Sequence, residues 1–566
     1  MAVPNIPGAG ELGNQLRQTQ SPATPAPAVP DLLLPADSQG RSRAPDDDRA
    51  RVTLSRVIFT GSVPPQDGPA PDSPRLQEVV APWLNRPLSF SDLQHLTEAV
   101  TAEYRRHGLL LARAVLPPQT IRDGELTVSV MPGRYDDPLI RNTSSLRGSL
   151  IRQVVSAALP VGQVVKKNDL ERGALLLSEI PGVSSQVSLM PGSLPGTTTP
   201  EIVVKNGKRV GGWLGLDNQG DATTGRNRLL GGGVFSNLAG LGDQLRIDGL
   251  ATYEKSNLFS GGLDYSLPVG GRGTRAGVSY GHLNYRYGFL QHNFSGYSDN
   301  WLLYANYPWV RTATARADIR LEGGEQYLTD RYPRALVGNG ESQGRKRLTT
   351  GSLGVSGSMA GLPGGVTGFS LLGTLGTMDY RNEMARQMSF SDQSGSGGSF
   401  YTLNYQLSHE QQVWGGVSVY GRLSGQQASS NLDSARKFLL GGPSAVRAYD
   451  IGQGGVDNGN VLTLEVRHHL ELPSGWGLTG NAPSLTVATF YDQGWGEQYK
   501  SPESRDGGKL TDSNRLNLSG VGLYATLTER DNYSVTMTWA QRTGEKDPVS
   551  GRSNRDQFWL SAAKVF

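Results

Sequence analysis

The chain has no cysteine among its 566 residues, which excludes disulfide bonds, thiolate zinc sites and cysteine nucleophiles. It also lacks any uncharged apolar run near the roughly 18 residues that a membrane-spanning helix needs. Its mean hydropathy of −0.38 is too low for a helical membrane protein. The start of the sequence shows no secretory signal, so we expect any export signal to lie outside this chain. Charge is balanced, with 54 basic and 51 acidic residues, and we therefore expect no nucleic-acid partner.

Composition changes sharply along the first part of the chain. Residues 1–20 place Ile6, Leu12 and Leu16 among polar residues and glycine, which predicts one short, weakly amphipathic helix. A disordered terminus is the alternative interpretation. Residues 21–48 are rich in Pro, Ala and Asp and too poor in large apolar residues to fold alone, so they predict an extended linker.

The next stretch, residues 49–206, has the pattern of two small α+β units, at 49–133 and 134–206. In the first unit, RVTLSRVIF alternates as a strand, and FSDLQHLTEAVTAEYRRHG has a helical period. The apolar face of this predicted helix consists of Leu93, Leu96, Val100 and Tyr104. In the second unit, SSLRGSLIRQVVSAAL and KNDLERGALLLSEI predict helices, and SSQVSLMPG and EIVVK predict strands. Each unit is expected to lay its helices on a small sheet.

From residue 207 to residue 566 the helical period is lost, and apolar residues alternate with polar ones. In NYSVTMTWAQ, for example, Val535, Met537 and Trp539 fall on one face and the intervening polar residues on the other. A soluble sandwich also alternates in this way, but the charged inner face and the aromatic final run FWLSAAKVF favour a transmembrane β-barrel. At roughly 20 to 23 residues per strand with its connection, the region predicts about 16 strands.

The segment around residues 434–460 carries the most specific signal. It contains a Gly-Gly pair followed by a Val-Arg-Ala-Tyr sequence, and these residues are Gly441, Gly442, Val446, Arg447, Ala448 and Tyr449. A second motif, Phe-x-Asp-x-Gly, follows on a predicted strand as Phe490, Asp492 and Gly494. Period-2 alternation places Asp492 on the lumen face if the apolar residues of that strand meet lipid.

Both motifs resemble those of two-partner-secretion transporters, the TpsB family, within the wider BamA-type barrel superfamily. Members of this kind export filamentous haemagglutinin, haemolysins or contact-dependent toxins. The resemblance extends along the whole chain, with a plug helix at 1–20, a linker at 21–48, POTRA modules at 49–133 and 134–206, and a barrel at 207–566. It also implies a long lumenal loop around residues 434–460, with its Gly-Gly turn at 441–442 and its tip at 446–449. Ala448 departs from the pattern, since the family usually has Gly there. Ala at that position costs stability if the backbone needs positive φ or a close approach.

The resemblance implies a translocase in the bacterial outer membrane, with its POTRA modules in the periplasm. It implies export of a large secreted exoprotein, such as an adhesin, a cytolysin or a contact-dependent toxin, in unfolded form. No ATP is expected to drive this export, and the sequence has no Walker A pattern. We expect no cofactor and no metal ion, and the expected partners are the exoprotein and outer-membrane lipid. A closed barrel of this kind is expected to be a monomer.

Within the barrel, we expect Arg447 to meet Asp492, because a guanidinium group inside a barrel must find a carboxylate or stay hydrated. The planar guanidinium group of Arg447 could also stack on Phe490 or Tyr449. We interpret this contact as one that pins the long loop inside the pore as a gate. The alternative is a static strut that holds the shape of the barrel.

Signals for catalysis are weak, and we expect no enzyme. GVSYG matches the hydrolase elbow motif, but Ser279 falls within an alternating strand and not at a strand-to-helix turn. His468 and His469 are adjacent on a predicted strand and point to opposite faces, so they do not chelate one metal ion. Three other functions stay open: a barrel-assembly insertase, which generally carries more than two POTRA modules, a passive diffusion porin, and an outer-membrane hydrolase.

Overall fold

The structure is a computed structural model that describes most of the chain. The described residues are 7–19, 51–61, 63, 68–70, 73–254, 257–289, 291–337, 342–361, 363–479, 481–544 and 555–566. The linker predicted at residues 21–48 lies outside them, as do residues 1–6 and 20 of the predicted plug segment. The first described element is the helix α1 (Ala9–Thr19). No helix in the described ranges is long and apolar enough to cross a lipid bilayer.

The first α+β unit packs its helices on a small sheet. Its elements are β1 (Val52–Thr53), β2 (Arg56–Thr60), α2 (Pro74–Val80), a 3-10 turn (Ala81–Trp83), β3 (Pro87–Leu88), α3 (Phe90–Arg106), β4 (Arg113–Val115) and β5 (Glu125–Met131). Strand β5 is central, with β2 parallel on one side and β4 antiparallel on the other. Ser89 and Asp92 form a capping box that starts α3. The predicted apolar face of α3 is buried against the sheet.

The second α+β unit has the same layers. Its elements are β6 (Arg134–Tyr135), β7 (Leu139–Asn142), α4 (Gly148–Ala158), α5 (Lys167–Ser178), β8 (Val183–Pro191) and β9 (Thr197–Asn206). Strand β9 is central, with β8 antiparallel on one side and the shorter β6 and β7 parallel on the other. Helices α4 and α5 bury their apolar faces on this sheet. Strand β8 is therefore an edge strand of the described sheet.

A buried ion pair on α3 makes the first unit sensitive to acid. The Glu103 side chain is 1% exposed and accepts a hydrogen bond of 2.8 Å from Arg75 Nε, with Arg106 Nη1 at 2.9 Å. The hydrogen bond from Arg75 lowers the pKa of Glu103 from its ordinary value of 4.5. A lowered folded-state pKa stabilises the unit above pH 4.5, and this contribution is lost as the pH falls through that value towards the folded pKa.

We expect Glu103→Gln to lower the unfolding temperature of this unit at pH 7, and the difference from wild type to shrink as the pH falls below 4.5. Scanning calorimetry of the full chain at several pH values measures this. Glu125→Gln is the matched control, because Glu125 is half exposed and its nearest ion-pair contact, to Arg56, is 4.0 Å long. Equal effects of the two substitutions at pH 7 would contradict the assignment.

The rest of the chain forms a closed antiparallel barrel. Its elements and those of its connections are β10 (Val210–Asp217), β11 (Arg228–Ser236), β12 (Gln244–Thr252), β13 (Asn257–Pro268), β14 (Arg275–Phe289), β15 (His292–Arg311), β16 (Ala315–Arg331), α6 (Arg334–Val337), β17 (Gln343–Ala360), β18 (Gly365–Tyr380), α7 (Glu383–Met388), α8 (Ser391–Ser394), β19 (Gly398–Trp414), β20 (Val417–Ala428), β21 (Phe438–Leu439), β22 (Gly455–Val456), β23 (Asn458–Glu471), a 3-10 turn (Ser474–Trp476), β24 (Ser484–Glu497), β25 (Arg515–Glu529), β26 (Tyr533–Arg542) and β27 (Asp556–Val565). All strands except β21 and β22 belong to the barrel wall, which closes by pairing β10 with β27. The predicted barrel of about 16 strands is confirmed.

Side chains of the wall alternate between an apolar outer face and a polar inner face. Outward-pointing Leu303, Leu353 and Leu375 are each at least 60% exposed. Thr463 and Asp492 point inward on neighbouring strands and are buried. This pattern is the one that a membrane barrel needs, because lipid surrounds it and closure leaves no sheet edge open.

The second α+β unit is held against one end of the barrel, which we call the proximal end. Arg311 at the end of β15 donates one bifurcated hydrogen bond from Nε to the two carboxylate oxygens of Glu179, at 2.9 and 3.0 Å. Arg172 on α5 donates to the backbone oxygen of Trp309 at 3.1 Å. The opposite end, which we call the distal end, carries the connection from β20 to β23. The two ends of the barrel therefore have different neighbours.

Candidate functional site

The connection between β20 and β23, residues 429–457, turns back into the barrel lumen. Its strands β21 and β22 pair antiparallel and form the stem of the turn. The Gly-Gly turn bends the chain at Gly442, whose φ of +130° lies in the region that favours glycine. Buried apolar residues from this loop and from the wall form one cluster, which includes Leu440, Val446, Ala448, Tyr449, Val456, Val461, Phe490 and Leu518.

The structure brings Arg447 and Asp492 together in the lumen. Arg447 Nε donates to Asp492 Oδ2 at 2.8 Å, and Nη2 donates to Oδ1 at 2.9 Å. The backbone N–H of Arg447 also donates to Oδ2, at 3.1 Å. Asp492 is fully buried, and only 11% of the Arg447 side chain is exposed. The contact is therefore a bidentate ion pair, strengthened by a third hydrogen bond from the loop backbone.

A third member of this cluster, Glu465 on β23, was missed in the sequence. Its Oε1 lies 2.8 Å from Arg447 Nη2, while its Oε2 accepts hydrogen bonds from Arg467 Nε at 2.8 Å and from the Tyr524 hydroxyl at 2.9 Å. Alternation along β23 indicates that Glu465 faces inward, but only the register of β23 against β24 brings it next to Asp492. Arg447 therefore contacts two buried carboxylates on neighbouring strands, and it shares that of Glu465 with Arg467.

Aromatic residues complete the surroundings of the loop tip. The Arg447 guanidinium carbon lies 3.4 Å from the ring centroid of Phe490, so the stacking partner is Phe490. Tyr449 instead faces Arg542, whose guanidinium carbon is 5.8 Å from its ring centroid. Trp559 Nε1 on the last strand donates to the backbone oxygen of Arg447 at 2.7 Å. The tip is thus attached to three separate strands of the wall, β23, β24 and β27.

Ala448 fits at the tip because the wall opposite it has no side chain. Ala448 is not among the residues with positive φ. A Cβ placed on Gly520 would come within 2.5 Å of the Ala448 Cβ, and one placed on Gly494 would come within 2.9 Å of Val446. Gly494 of the second motif therefore makes room for the loop, and Gly520 makes room for the Ala448 methyl group.

We expect Gly520→Ala to loosen the loop tip, since the added methyl group would overlap that of Ala448. Hydrogen exchange of residues 441–449 in the detergent-solubilised protein measures this, and we expect it to become faster. The double variant Gly520→Ala with Ala448→Gly is expected to regain slow exchange, because it moves the methyl group from the loop to the wall. No rescue by Ala448→Gly would contradict the proposed contact.

Helix α1 also lies inside the barrel, towards its distal end. Its apolar residues Ala9, Leu12 and Leu16 are buried in a cluster with inward-facing residues of the wall and with Leu432 and Ala435 of the loop. The wall residues of this cluster include Leu250, Leu258, Tyr285, Tyr287, Phe294, Leu328, Leu348, Met378 and Phe400. The helix is therefore packed between the wall and the segment that leads to the loop tip.

Polar contacts hold α1 at both ends. The backbone N–H of Ala9, in the first turn, donates to Asp330 Oδ1 at 2.7 Å, where the carboxylate also complements the helix dipole. Asn14 Nδ2 donates to the backbone oxygen of Lys437 at 2.7 Å, and Arg17 Nη2 donates to that of Ala435 at 2.7 Å. Gln15 Nε2 donates to Asp221 at 3.0 Å. The buried polar side chains of α1 are thus matched to specific partners on the loop and the wall.

The remaining sequence candidates do not form a reaction centre. Ser279 lies within β14, away from any strand-to-helix turn. His468 and His469 lie on β23, where His469 Nε2 is 3.2 Å from both Glu410 Oε1 and Ser418 Oγ. Because serine and carboxylate meet the same ring nitrogen, these three groups do not have the order of a catalytic triad. In the described part of the chain, no group of three or more histidine or acidic side chains could hold a metal ion.

The chain is similar to known transporters along most of its length. The family model described as "POTRA domain, ShlB-type" matches residues 66–133, and the model "Haemolysin secretion/activation protein ShlB/FhaC/HecB" matches residues 196–523. The heme/hemopexin transporter protein HuxB of Haemophilus influenzae strain 86-028NP is 30% identical over 498 residues, which cover 87% of this chain and 84% of that protein. The outer membrane transporter CdiB of Escherichia coli strain 536 is 26% identical over 472 residues, covering 78% and 72%.

Solved structures agree with this assignment at the level of the fold. CdiB from Escherichia coli superposes with a TM-score of 0.73 at 20% identity, and the match covers 100% of both chains. CdiB from Acinetobacter baumannii has a TM-score of 0.62 at 17% identity, covering 91% of this chain and 90% of that one. The barrel thus lies in a bacterial outer membrane, with the two α+β units, which are POTRA modules, in the periplasm. The resemblance seen in the sequence is confirmed, and the chain belongs to the haemolysin secretion/activation protein family ShlB/FhaC/HecB.

Proposed function

We propose that the protein is an outer-membrane translocase for two-partner secretion. It recognises an unfolded secreted partner in the periplasm through its POTRA modules and exports it through the barrel without ATP. One observation carries this proposal: two separate obstructions, α1 and the loop tip, fill the lumen, and both are held by noncovalent contacts. A passive porin would need a lumen that stays open to solutes. A pore that is closed by movable segments suits a transporter that opens only while a large cargo is being exported.

The second POTRA module offers a binding edge for an extended cargo segment. Strand β8 pairs with β9 on one side, and its other side is an edge of the described sheet. Backbone groups at such an edge can add a further strand from another protein, with modest dependence on its sequence. This edge faces the periplasmic compartment in which an exported protein is still unfolded. We therefore assign cargo capture to β8 (Val183–Pro191).

Folding of the cargo outside the cell supplies the driving force in this scheme. An emerging chain that buries apolar surface outside cannot easily return, so passage becomes one-way. This mechanism uses neither a nucleotide nor a metal ion. Arg447, Asp492 and α1 act by opening and closing the path and make no covalent change in the cargo.

The partner is proposed to be a large exoprotein that is dedicated to this transporter. Curated relatives include proteins named heme/hemopexin transporter, so an exoprotein that binds haem or hemopexin is the first candidate cargo to test. Other relatives are named outer membrane transporter CdiB, which keeps contact-dependent toxins among the candidates. Outer-membrane lipid surrounds the barrel, and the proposed oligomeric state is a monomer, since the closed wall leaves no strand unpaired.

A pull-down tests the proposal. The full chain, purified in detergent and immobilised, is incubated with periplasmic extract from the source organism, and the captured proteins are identified by mass spectrometry. We expect the N-terminal part of one large secreted protein. Capture of many unrelated barrel precursors would instead favour the barrel-assembly insertase. Capture of neither class would count against both functions, and a lumen that conducts continuously in bilayers would then favour the porin.

A further inference from the structure

Six neighbouring strands of the barrel wall, β14 to β19, are 15 to 20 residues long, whereas β10 to β13 have 8 to 12 residues. The long strands extend the wall at the distal end, where β14 runs past the end of β13 and β19 runs past the end of β20. On the long strands, the outward side chains nearer the proximal end are apolar and exposed, as lipid contact requires. These include Trp301, Leu303, Leu321, Leu353 and Leu375. On the distal side of this apolar band, which we call above it, the outward side chains of the same strands are polar.

The polar outward positions above the band carry an excess of arginine. Inward-facing Tyr285, Leu328 and Lys346 are buried in the lumen, so their chain neighbours point outward. We define the rim patch as the charged outward residues of this extension, and its members are Arg286, Arg331, Arg345, Arg347, Arg381, Asp299, Glu325 and Asp379. Across the barrel, the corresponding outward residues hold a single arginine, and they include Gln493, Glu497, Arg515, Asn517, Ser519, Gln541 and Asp556. Positive charge is therefore concentrated on one side of the distal rim.

Contacts within the rim patch orient its guanidinium groups. Register places Arg347 beside Tyr327 on one side and Asp379 on the other. The Arg347 guanidinium carbon lies 5.8 Å from the ring centroid of Tyr327, and its Nη2 donates to Glu325. Arg331 is placed in the same way, with its guanidinium carbon 6.0 Å from the Tyr297 ring centroid. Arginine paired with tyrosine just above an apolar band is the composition of a membrane interface.

An open cleft adjoins the rim patch. It has a volume of about 470 Å³ and lies between the end of β18, the segment with α7 and α8, and the connection from β24 to β25. Its charged lining consists of Asp379 and Arg381 of the rim patch, together with Arg386, Asp392 and Arg505. Among the described residues, Arg381 and Arg505 make no side-chain hydrogen bond. Their donors are thus available to an anionic ligand, and the guanidinium fork matches the geometry of phosphate.

We propose that the rim patch and this cleft bind the phosphate groups of the phosphorylated glycolipid in the outer leaflet. The site lies directly above the apolar band, at the depth where headgroups of that leaflet meet the barrel. Charge complementarity identifies the ligand, because five arginines face three carboxylates in the rim patch, and the cleft adds two arginines and one carboxylate, that of Asp392. This proposal depends on the location of the barrel in the outer membrane and is independent of its cargo.

Lipid binding to the full chain in detergent tests this site. Native mass spectrometry measures retention of diphosphorylated lipid A, and a titration gives its affinity. We expect the double variant Arg347→Gln, Arg381→Gln to bind lipid A at least about ten-fold more weakly than the wild type. The double variant with Lys at both positions keeps the charge and is expected to retain most of the affinity. Arg530→Gln is the matched control, because Arg530 is 81% exposed on the turn at the proximal end.

Three results would overturn the proposal. The first is equal affinity for lipid A and for the same lipid with both phosphates removed. The second is unchanged affinity in the double Gln variant, once its heat-dependent gel shift shows a folded barrel. The third is displacement of lipid A by an equal concentration of inorganic phosphate, which would identify a site for free phosphate. Loss of binding in the double Gln variant, with the Lys variant and Arg530→Gln unaffected, supports it.

Discussion

Deletion of residues 1–19 is expected to raise the single-channel conductance of the protein in planar bilayers several-fold. Helix α1 fills the distal part of the lumen, where it is packed between the wall and the loop. An α-helix with its side chains is about 10 to 12 Å wide, so its removal opens a water-filled path beside the loop. The loop tip remains attached through Arg447, and the conductance should therefore stay below that of an empty barrel of this size.

A point substitution makes the same test without shortening the chain. Leu12 is 1% exposed within the apolar cluster around α1. Leu12→Asp would place an unpaired carboxylate there at a cost of several kcal/mol, which favours release of the helix. We expect this variant to conduct like the deletion. Leu12→Met has a similar volume and is expected to keep the conductance of the wild type.

A disulfide lock distinguishes a plug from a helix that merely rests in the lumen. A Cβ on Gly10 would lie 2.9 Å from the Ala435 Cβ, close to the spacing of about 3.8 Å in disulfides, so a small shift allows a bond. The chain has no other cysteine, and the pair Gly10→Cys, Ala435→Cys is therefore unique. We expect the oxidised form to stop export and the reduced form to restore it. Continued export with the disulfide intact would rule out α1 as a plug that must move.

Local periodicity predicted the parts of this fold that depend on one strand or one helix at a time. The apolar face of α3 and the inward position of Asp492 both follow from alternation along a few residues. The meeting of Arg447 with Asp492 was also expected, because a guanidinium group inside a barrel must find a carboxylate or stay hydrated. These expectations depend only on whether each side chain points inward or outward, and they require no knowledge of how neighbouring strands are aligned.

Contacts between distant segments could not be read from the sequence in this way. Asn14 meets the backbone of Lys437 across 423 residues, and only closure of the barrel and return of the loop bring the two together. Glu465 was visible as an inward residue, but its place beside Arg447 depends on the register between strands. Gly520 has no side chain that could mark it as a contact residue in the sequence, although the space left by its missing Cβ accommodates Ala448.

Arg447→Ala is expected to abolish export and to detach the loop tip from the wall. Removal of the guanidinium group leaves the buried carboxylate of Asp492 without its ion-pair partner, close to the carboxylate of Glu465, which keeps Arg467. Breaking a buried ion pair in this way costs about 3 to 5 kcal/mol, which shifts the balance between attached and detached tips about 100-fold or more. Secretion of the captured partner and hydrogen exchange of residues 441–449 measure the two effects. Arg467→Ala, which leaves Asp492 paired with Arg447, is expected to be milder.

Exchange of the two charges tests whether the pair is isolated. An isolated pair would regain export in the double variant Arg447→Asp, Asp492→Arg. Here the carboxylate introduced at position 447 would face Glu465, and the stacking on Phe490 would be lost. We therefore expect the exchange to fail, and we expect part of the export to return when Glu465→Gln is added. Full rescue by the exchange alone would show that Glu465 does not share the arginine.

The same variants decide between a gate and a static strut. A strut would be needed to hold strands β23 and β24 together, and its loss would lower the unfolding temperature of the barrel. These two strands, however, already pair along fourteen residue positions. The Arg447 contacts add a connection between the loop and the wall, so their loss should free the loop while the barrel stays intact. We expect Arg447→Ala to leave the heat-dependent gel shift unchanged and to increase the frequency of open events in bilayer recordings. A lowered unfolding temperature with steady conductance would identify a strut.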